Sequence, residues 1–341
     1  MAKAAIGQIC SSNSMADNLK QCVRLVSQAA SAGAKVLFLP EASDYVATST
    51  AESLSLARPV STSPFVTGLQ AAAARHSIAV HVGIHEPVAV KPVAAPSPSP
   101  SPSPSTNPVV PTIPRDAPPS PYAPETDTIT KLYNRTVYIT PAGALLDAGA
   151  YSKLHLFDYG ALRESSSTQA GSSFAPPFGS PVGRLGSLIC FDLRFPEAAV
   201  HLASASAPPG PAQVLLYPSA FTVPTGHAHW EVLLRARAIE TQSWVVAAAQ
   251  VGQHNGAFPR VSYGRSMVVD PWGRVVLQLK GVRERSDKKD GDGDERAGVA
   301  EWEAEDGAVG ELGVVDIDLG EWERVREKMP LVRRTDIYPQ V

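Results

Sequence analysis

Three polar residues stand in this chain where an apolar run ends, and together they suit nucleophilic chemistry on a carbonyl carbon. In Gly186-Ser-Leu-Ile-Cys-Phe-Asp-Leu-Arg-Phe-Pro-Glu, a strand-like stretch stops at Cys190, and a proline that suits the opening of a helix follows. Reactive groups of α/β folds collect at such strand ends, and the N–H of Phe191 is placed to meet a developing oxyanion. An isolated strand cysteine is more often a small buried apolar residue, so the neighbours decide. Val36-Leu-Phe-Leu-Pro-Glu-Ala-Ser-Asp-Tyr runs an apolar strand into Glu41, with proline breaking the ladder just before it. Beside low-dielectric walls this carboxylate is expected to have a raised pKa, to take a thiol proton and to return it to a leaving amine. Alone, it would read equally well as a helix cap. Tyr151-Ser-Lys-Leu-His-Leu-Phe-Asp sets Lys153 among apolar residues, where an ammonium needs an anion and can stabilise a tetrahedral oxyanion. The three together suggest acyl transfer through a thioester.

The surrounding pattern explains how these residues could meet. Apolar runs at Ala4–Cys10, Val36–Leu39 and Ile78–Ile84 alternate with helical periodicity near Asn18–Ala32 and Pro64–His76, a βαβαβ opening. Tyr133–Thr140 and Leu145–Tyr151, joined by Pro141-Ala-Gly-Ala, read as a hairpin. The opening order then repeats: strand Arg184–Ile189, helix Pro196–Ser204, strand Gln213–Tyr217, helix His229–Thr241 and strand Trp244–Gln250. Strands Ser262–Asp270, Arg274–Leu279 and Glu311–Ile317 and a helix Glu321–Lys328 close the chain. Two α/β halves face to face predict a layered sandwich.

Two stretches break this pattern. Residues 92–127 are rich in Ser-Pro repeats, and residues 283–306 are charged and Gly-rich; both read as flexible, solvated insertions in a single domain spanning 1–341. The first reads as a spacer, with an SH3-type ligand as the lesser alternative. Within the second, Asp290-Gly-Asp-Gly-Asp-Glu with Glu301 imitates a calcium loop, but Glu295 replaces the glycine its sharp turn needs, so a plain acidic loop is expected. His227 and His229 lack a metal-ligand spacing, and no metal or organic cofactor is expected.

At 341 residues, 44% hydrophobic, the chain can bury a substantial core. A net charge of −3 argues against a nucleic-acid partner and leaves room for a small-molecule substrate. Cys10, Cys22 and Cys190 are too few and scattered for a disulfide framework, no run is long enough to span a bilayer, and the first residues already read as a strand. No membrane association and a cytoplasmic location are therefore expected.

Glu41, Lys153 and Cys190, in this order, resemble the Glu-Lys-Cys triad of the nitrilase, or carbon–nitrogen hydrolase, superfamily, across nearly the whole chain outside the two insertions. Leu39-Pro-Glu-Ala-Ser-Asp-Tyr, Lys153-Leu-His-Leu-Phe-Asp, Ser219-Ala-Phe-Thr, Ala228-His-Trp-Glu-Val-Leu-Leu-Arg-Ala-Arg-Ala-Ile-Glu-Thr-Gln and Ser266-Met-Val-Val-Asp-Pro-Trp-Gly resemble its Nit1 branch of deaminated glutathione amidases, in a fungal form. The resemblance implies a four-layer α-β-β-α sandwich and a homodimer. It also makes Glu41 the proton acceptor, Lys153 the oxyanion-side lysine and Cys190 the nucleophile. Glu164, in Leu162-Arg-Glu-Ser, matches a second glutamate of that family, although its interval from Lys153 is a few residues short, which leaves the assignment open.

For this branch the implied reaction is a metabolite repair, cleavage of deaminated glutathione to 2-oxoglutarate and cysteinylglycine. An anionic substrate needs cations, and Arg194, on the turn after the nucleophile, is the candidate; pairing with Glu197 or Asp192 is its plain alternative. Tyr45, Ser219 and Thr222 follow strands and are candidate pocket residues. The helix His229–Gln242, with Arg235, Arg237 and Glu240, is a candidate dimer surface. The competing readings are an ω-amidase acting on 2-oxoglutaramate with the same triad, and a non-catalytic scaffold that recruits partners through its Pro-rich insertion.

Overall fold

The computed structural model describes residues 1–91, 128–159, 162–256, 260–285, 301–334 and 336–338. Two six-stranded sheets form its centre. In spatial order the first runs Glu311–Ile317, Ala2–Gln8, Val36–Phe38, Ala79–Val90, Ile129–Ile139 and Tyr151–Ser152. The second runs Val275–Gln278, Met267–Val269, Trp244–Ala247, Val214–Leu216, Gly183–Ser187 and Phe178–Ser180. Each has three parallel central strands flanked by antiparallel ones, so the two halves repeat one plan.

Period-two alternation places side chains on both faces of each sheet. Ala4, Ile6, Val36 and Phe38 meet Leu185, Val214, Leu216, Val246 and Val268 between the sheets. Ala5, Leu37 and Val80 face outward onto Leu25 and Val26 of the helix Met15–Ser31 and Phe65 and Leu69 of the helix Pro64–His76. Leu215, Val245 and Ala247 face outward onto Ala199 and Leu202 of the helix Pro196–Ala203 and Trp230 and Leu234 of the helix Val223–Thr241. The layers are therefore helix, sheet, sheet, helix, as expected. At the carboxyl ends Ile9 and Gln250 form a parallel bridge, with Val251 N donating to Ile9 O at 3.0 Å.

Several expectations change in detail. The run 262–270 is two strands, Val261–Tyr263 and Met267–Val269, because Gly264 and Arg265 both take positive φ and turn the chain between them. The helix expected at His229 begins at Val223, with Pro224 in its first turn, where no backbone donor is lost. The second stretch of the hairpin reduces to a bridge at Leu145, a 3₁₀ turn and the short strand Tyr151–Ser152. The segment 283–306 does not depart from the fold at residue 283, since Val282–Glu284 pairs antiparallel with Trp302–Ala304. Residues 92–127, and Asp290 through Glu295 of the acidic loop, lie outside the described residues. Among the described residues no helix is long and apolar enough to cross a membrane.

Arg237 does not form a partner-facing surface. It is 3% exposed, with Nη2 donating to Leu193 O at 2.7 Å and Nη1 paired with Glu240 at 3.0 Å.

Candidate active site

Glu41, Lys153, Cys190 and Glu164 come from four separate segments and converge at the carboxyl ends of the central strands. The Glu41 loop leaves the strand Val36–Phe38 and packs directly on Gly83. Gly83 N donates to Pro40 O at 3.0 Å, and a Cβ on Gly83 would lie 2.6 Å from Glu41 Cα, so glycine alone permits this approach. From the other sheet, the Gln250 side chain donates to Glu41 O at 2.9 Å and Ala42 O at 3.2 Å.

Lys153, 2% exposed, lies between two carboxylates. Its Nζ is 3.1 Å from Glu41 Oε1 and 2.9 Å from Glu164 Oε2. Asn134 Nδ2 donates to both acids, at 2.6 Å to Glu41 Oε1 and 3.0 Å to Glu164 Oε1. Glu164 opens a 3₁₀ turn and accepts from Phe157 N at 2.7 Å, so the short interval from Lys153 still brings this carboxylate onto the lysine.

Cys190 sits at φ 47°, a conformation that a residue with a Cβ adopts only when its surroundings enforce it. Asp192, fully buried, does much of the enforcing. Its Oδ2 accepts from Tyr151 OH at 2.7 Å and Ile189 N at 2.9 Å, and its Oδ1 lies 3.0 Å from His155 N and 2.7 Å from His155 Nδ1. One carboxylate thus joins the cysteine turn to the segment that carries Lys153.

The electrostatics correct one expectation. Burial pushes the Glu41 carboxyl up, but the Lys153 charge and hydrogen bonds from Cys190, Asn134 and Lys153 outweigh it and hold it below the usual carboxylate range. Burial alone, which the sequence makes visible, has the opposite sign. The Cys190 thiol is held well above its usual range by burial and by the charge of Glu41, against the opposing effects of Lys153 and the Ala220 N–H. Burial works against the charge of Lys153, and the anions Glu164 and Glu41 overcome it, raising its pKa well above the ordinary value. The resting site therefore holds a thiol beside an ionised carboxylate and an ammonium, ready for proton transfer from sulfur to oxygen.

These groups open into a cavity of about 450 Å³. Phe191, Tyr45, Thr222 and Arg194 all line it. Arg194 pairs with neither Asp192 nor Glu197; its Nη2 is 2.8 Å from His229 Nδ1, and its Nε is buried without a partner among the described residues. Tyr45 is fully buried and donates to Ser53 O at 2.9 Å. Ser219 is not on the cavity wall: its hydroxyl donates inward to Tyr217 O at 3.0 Å and its N–H to Ala248 O at 2.8 Å.

Sequence reasoning missed Asn134, Asp192, Gln250 and the pair Asp44–His85. A faint signal existed for Asn134, since asparagine is poorly suited to strands yet alternates there with Leu132 and Thr136. Asp44 Oδ1 lies 3.0 Å from His85 Nδ1 and Oδ2 accepts from His85 N at 2.8 Å, while the His85 ring stacks on Tyr45 with centroids 4.5 Å apart.

A two-sheet sandwich holding a thiol, a carboxylate and an ammonium at its strand ends is the architecture of a hydrolase of carbon–nitrogen bonds. Residues 3–94 and 109–286 match the carbon-nitrogen hydrolase family, and the chain belongs to it. Over its whole length it is similar to a probable hydrolase, nit2, of Schizosaccharomyces pombe, 38% identical over 347 residues and covering 100% of both chains. It is 38% identical over 281 residues to the deaminated glutathione amidase of Mus musculus, covering 80% of this chain and 73% of that one. The crystal structure of the C. elegans NitFhit protein superposes with a TM-score of 0.73 at 31% identity, covering 100% of this chain and 68% of that one. The protein is an enzyme, an amidase of the nitrilase superfamily.

Proposed function

We propose that this amidase hydrolyses the amide of deaminated glutathione, giving 2-oxoglutarate and cysteinylglycine, with Cys190 as nucleophile. The observation that carries the reading is Lys153 bonded to both Glu41 and Glu164 at the base of a cavity that also exposes Arg194 to an anionic ligand. The name of the mouse relative supports the substrate.

The ionised Glu41 takes the thiol proton as sulfur attacks the amide carbonyl carbon. Lys153 and the N–H of Phe191 stabilise the tetrahedral oxyanion. Its collapse breaks the carbon–nitrogen bond, and the departing amine takes the proton from Glu41, leaving a 2-oxoglutaryl thioester. Glu41 then removes a proton from water as it attacks the thioester, and the proton passes to the departing sulfur. Every proton is accounted for by side chains and water, so the cycle calls on neither metal nor organic cofactor. Glu164 keeps Lys153 charged and fixed between the acids, and Arg194 takes the 2-oxo acid carboxylate.

The test is release of 2-oxoglutarate from deaminated glutathione and from 2-oxoglutaramate, by wild type and Cys190→Ala. Preference for the larger amide, lost in the variant, is the expected result. Preference for 2-oxoglutaramate would make the enzyme an ω-amidase, and an inert wild type would favour a scaffold.

Residues from 1–91, 128–159, 162–256, 260–285 and 301–334 share one inter-sheet core, which supports a single domain. A homodimer through the helix Val223–Thr241 fits the exposure of Val232 and Ile239 on it and of nearby Trp272, at 61, 45 and 56%. A mass for Val232→Glu equal to that of a monomer, against twice that for wild type, would bear this out. Three free thiols, one of them required for the chemistry, support a reducing, cytoplasmic setting.

A further inference from the structure

Four cationic side chains line the cavity, Lys153, Arg163, Arg194 and Arg260, against the carboxylates of Glu41 and Glu164. Lys153 is engaged by both acids, so the three guanidinium groups are left to answer charge that a ligand brings. Arg163 and Arg260 are exposed and have no ion-pair partner among the described residues. Among the exposed arginines away from the cavity, Arg274 pairs with Asp270 and Glu321, Arg283 with Glu303 and Asp306, and Arg324 with Asp318, whereas Arg24, Arg58, Arg75 and Arg333 also lack an ion pair among the described residues; what sets Arg163 and Arg260 apart is that they line the cavity. The acid nearest to Arg163 in sequence is Glu164, which is already bonded to Lys153, Asn134 and Phe157 N. Asp158, whose carboxyl is held down first by hydrogen bonds from Ser165 and only later by the charge of Arg163, bonds Ser165 through both oxygens. His85, also on the wall, has its charge answered by Asp44.

The two arginines come from different loops. Arg163 directly precedes Glu164, and Arg260 leads into the strand Val261–Tyr263, whose Ser262 bridges Thr222 on the wall. Arg194 belongs to the turn of the nucleophile and serves the acyl half of a substrate. The amine half must face the open side, because it departs first and water must take its place.

We infer that Arg163 and Arg260 form a specificity site for a carboxylate on the amine half of the substrate, so that the enzyme selects amides whose leaving amine ends in an anion. This rests on the reading of Cys190, Glu41 and Lys153 given above. A guanidinium fork grips a carboxylate through paired N–H bonds, and a free fork at a cavity mouth gives up little hydration until such a group arrives.

The experiment compares kcat/KM for 2-oxoglutaryl-cysteinylglycine and for its C-terminal glycinamide, which has the same scissile bond and one charge fewer. Wild type, Arg163→Gln, Arg260→Gln and the double variant are assayed at two ionic strengths. The ratio of the two substrates cancels any general loss of activity. Wild type is expected to prefer the free acid by about 10-fold or more, each single variant to lose about 5-fold of that preference through KM, and the double variant to lose it together with its salt dependence. Arg260→Lys should retain part of it. Wild type without a preference, or variants that keep the wild-type ratio, would overturn the inference while leaving the amidase reading intact. A wild type that cleaves neither substrate would overturn both.

Discussion

The side-chain amide of Gln250 donates to the backbone carbonyl of Glu41 at 2.9 Å, so a residue at the end of the second sheet holds the carboxylate loop of the first. The same nitrogen reaches Ser11 Oγ at 2.8 Å, and Gln250 Oε1 accepts from Ser11 N at 2.9 Å. The active site lies between two halves, and this fully buried side chain sets their spacing. Gln250→Leu leaves the Glu41 carbonyl and the Ser11 N–H without a partner, which costs about 1–3 kcal/mol per orphaned group. The expected outcome is a lower urea midpoint together with a fall in kcat; an unchanged midpoint would remove Gln250 from this role.

Asp192 should be harder to replace than its distance from the chemistry suggests. All its bonds are to donors, so Asp192→Asn turns an amide NH₂ toward other N–H or O–H groups. We expect kcat to fall by about 100-fold with little change in KM, as the Cys190 turn loses its geometry. Tyr151→Phe removes one bond and should cost only about 1 kcal/mol of stability. Equal kinetics for Asp192→Asn and wild type would show that the turn holds without the carboxylate.

A methyl group at Gly83 tests the approach of the Glu41 loop. Its Cβ would lie 2.6 Å from Glu41 Cα and 2.8 Å from Pro40 O, both main-chain atoms that cannot swing aside. Gly83→Ala should cost about 1–3 kcal/mol and displace Glu41 enough to depress turnover. Gly179→Ala, with no atom within 4 Å of the added carbon, is the control expected to leave the denaturation midpoint near that of wild type.

His85 should remain protonated above the ordinary histidine range. Burial alone lowers its pKa, but Asp44 by charge and hydrogen bond, with Glu41 and Glu164 farther off, brings it above 6.5. The stabilisation from this pair is complete below the unfolded value and is lost as pH rises through the raised folded one. An NMR titration of the imidazole should show the upward shift in wild type and a downward shift in Asp44→Asn, where burial prevails. A wild-type midpoint at or below 6.5 would contradict the pairing.

The sandwich was legible because its strands are short apolar runs alternating with helical periodicity, and Glu41, Lys153 and Cys190 each stand where such a run meets polar chain. Other features were hidden by the one-dimensional view. Asn134 and Gln250 are ordinary polar residues until the fold brings Glu41 to them from distant parts of the chain. The direction of the Glu41 pKa depends on how many donors surround the carboxylate, whereas an apolar neighbourhood in sequence reports only burial. Ser219 and Thr222 share a loop, yet one turns into the core and the other onto the cavity. Arg237 reads as a surface charge, but the helix rotation points it at Leu193 O, so Arg237→Glu would bury an unpaired acid and destabilise the subunit itself.

The central claim is that an acyl group passes through the sulfur of Cys190. Wild type quenched in acid during turnover of deaminated glutathione, digested and weighed by mass spectrometry, should carry a 2-oxoglutaryl adduct on the peptide containing Cys190 and none on Cys10 or Cys22. Burial holds the Cys10 thiol up at about 12 and places Cys22 out of reach of substrate. An adduct on either of those cysteines, or full turnover by Cys190→Ala, would contradict the account.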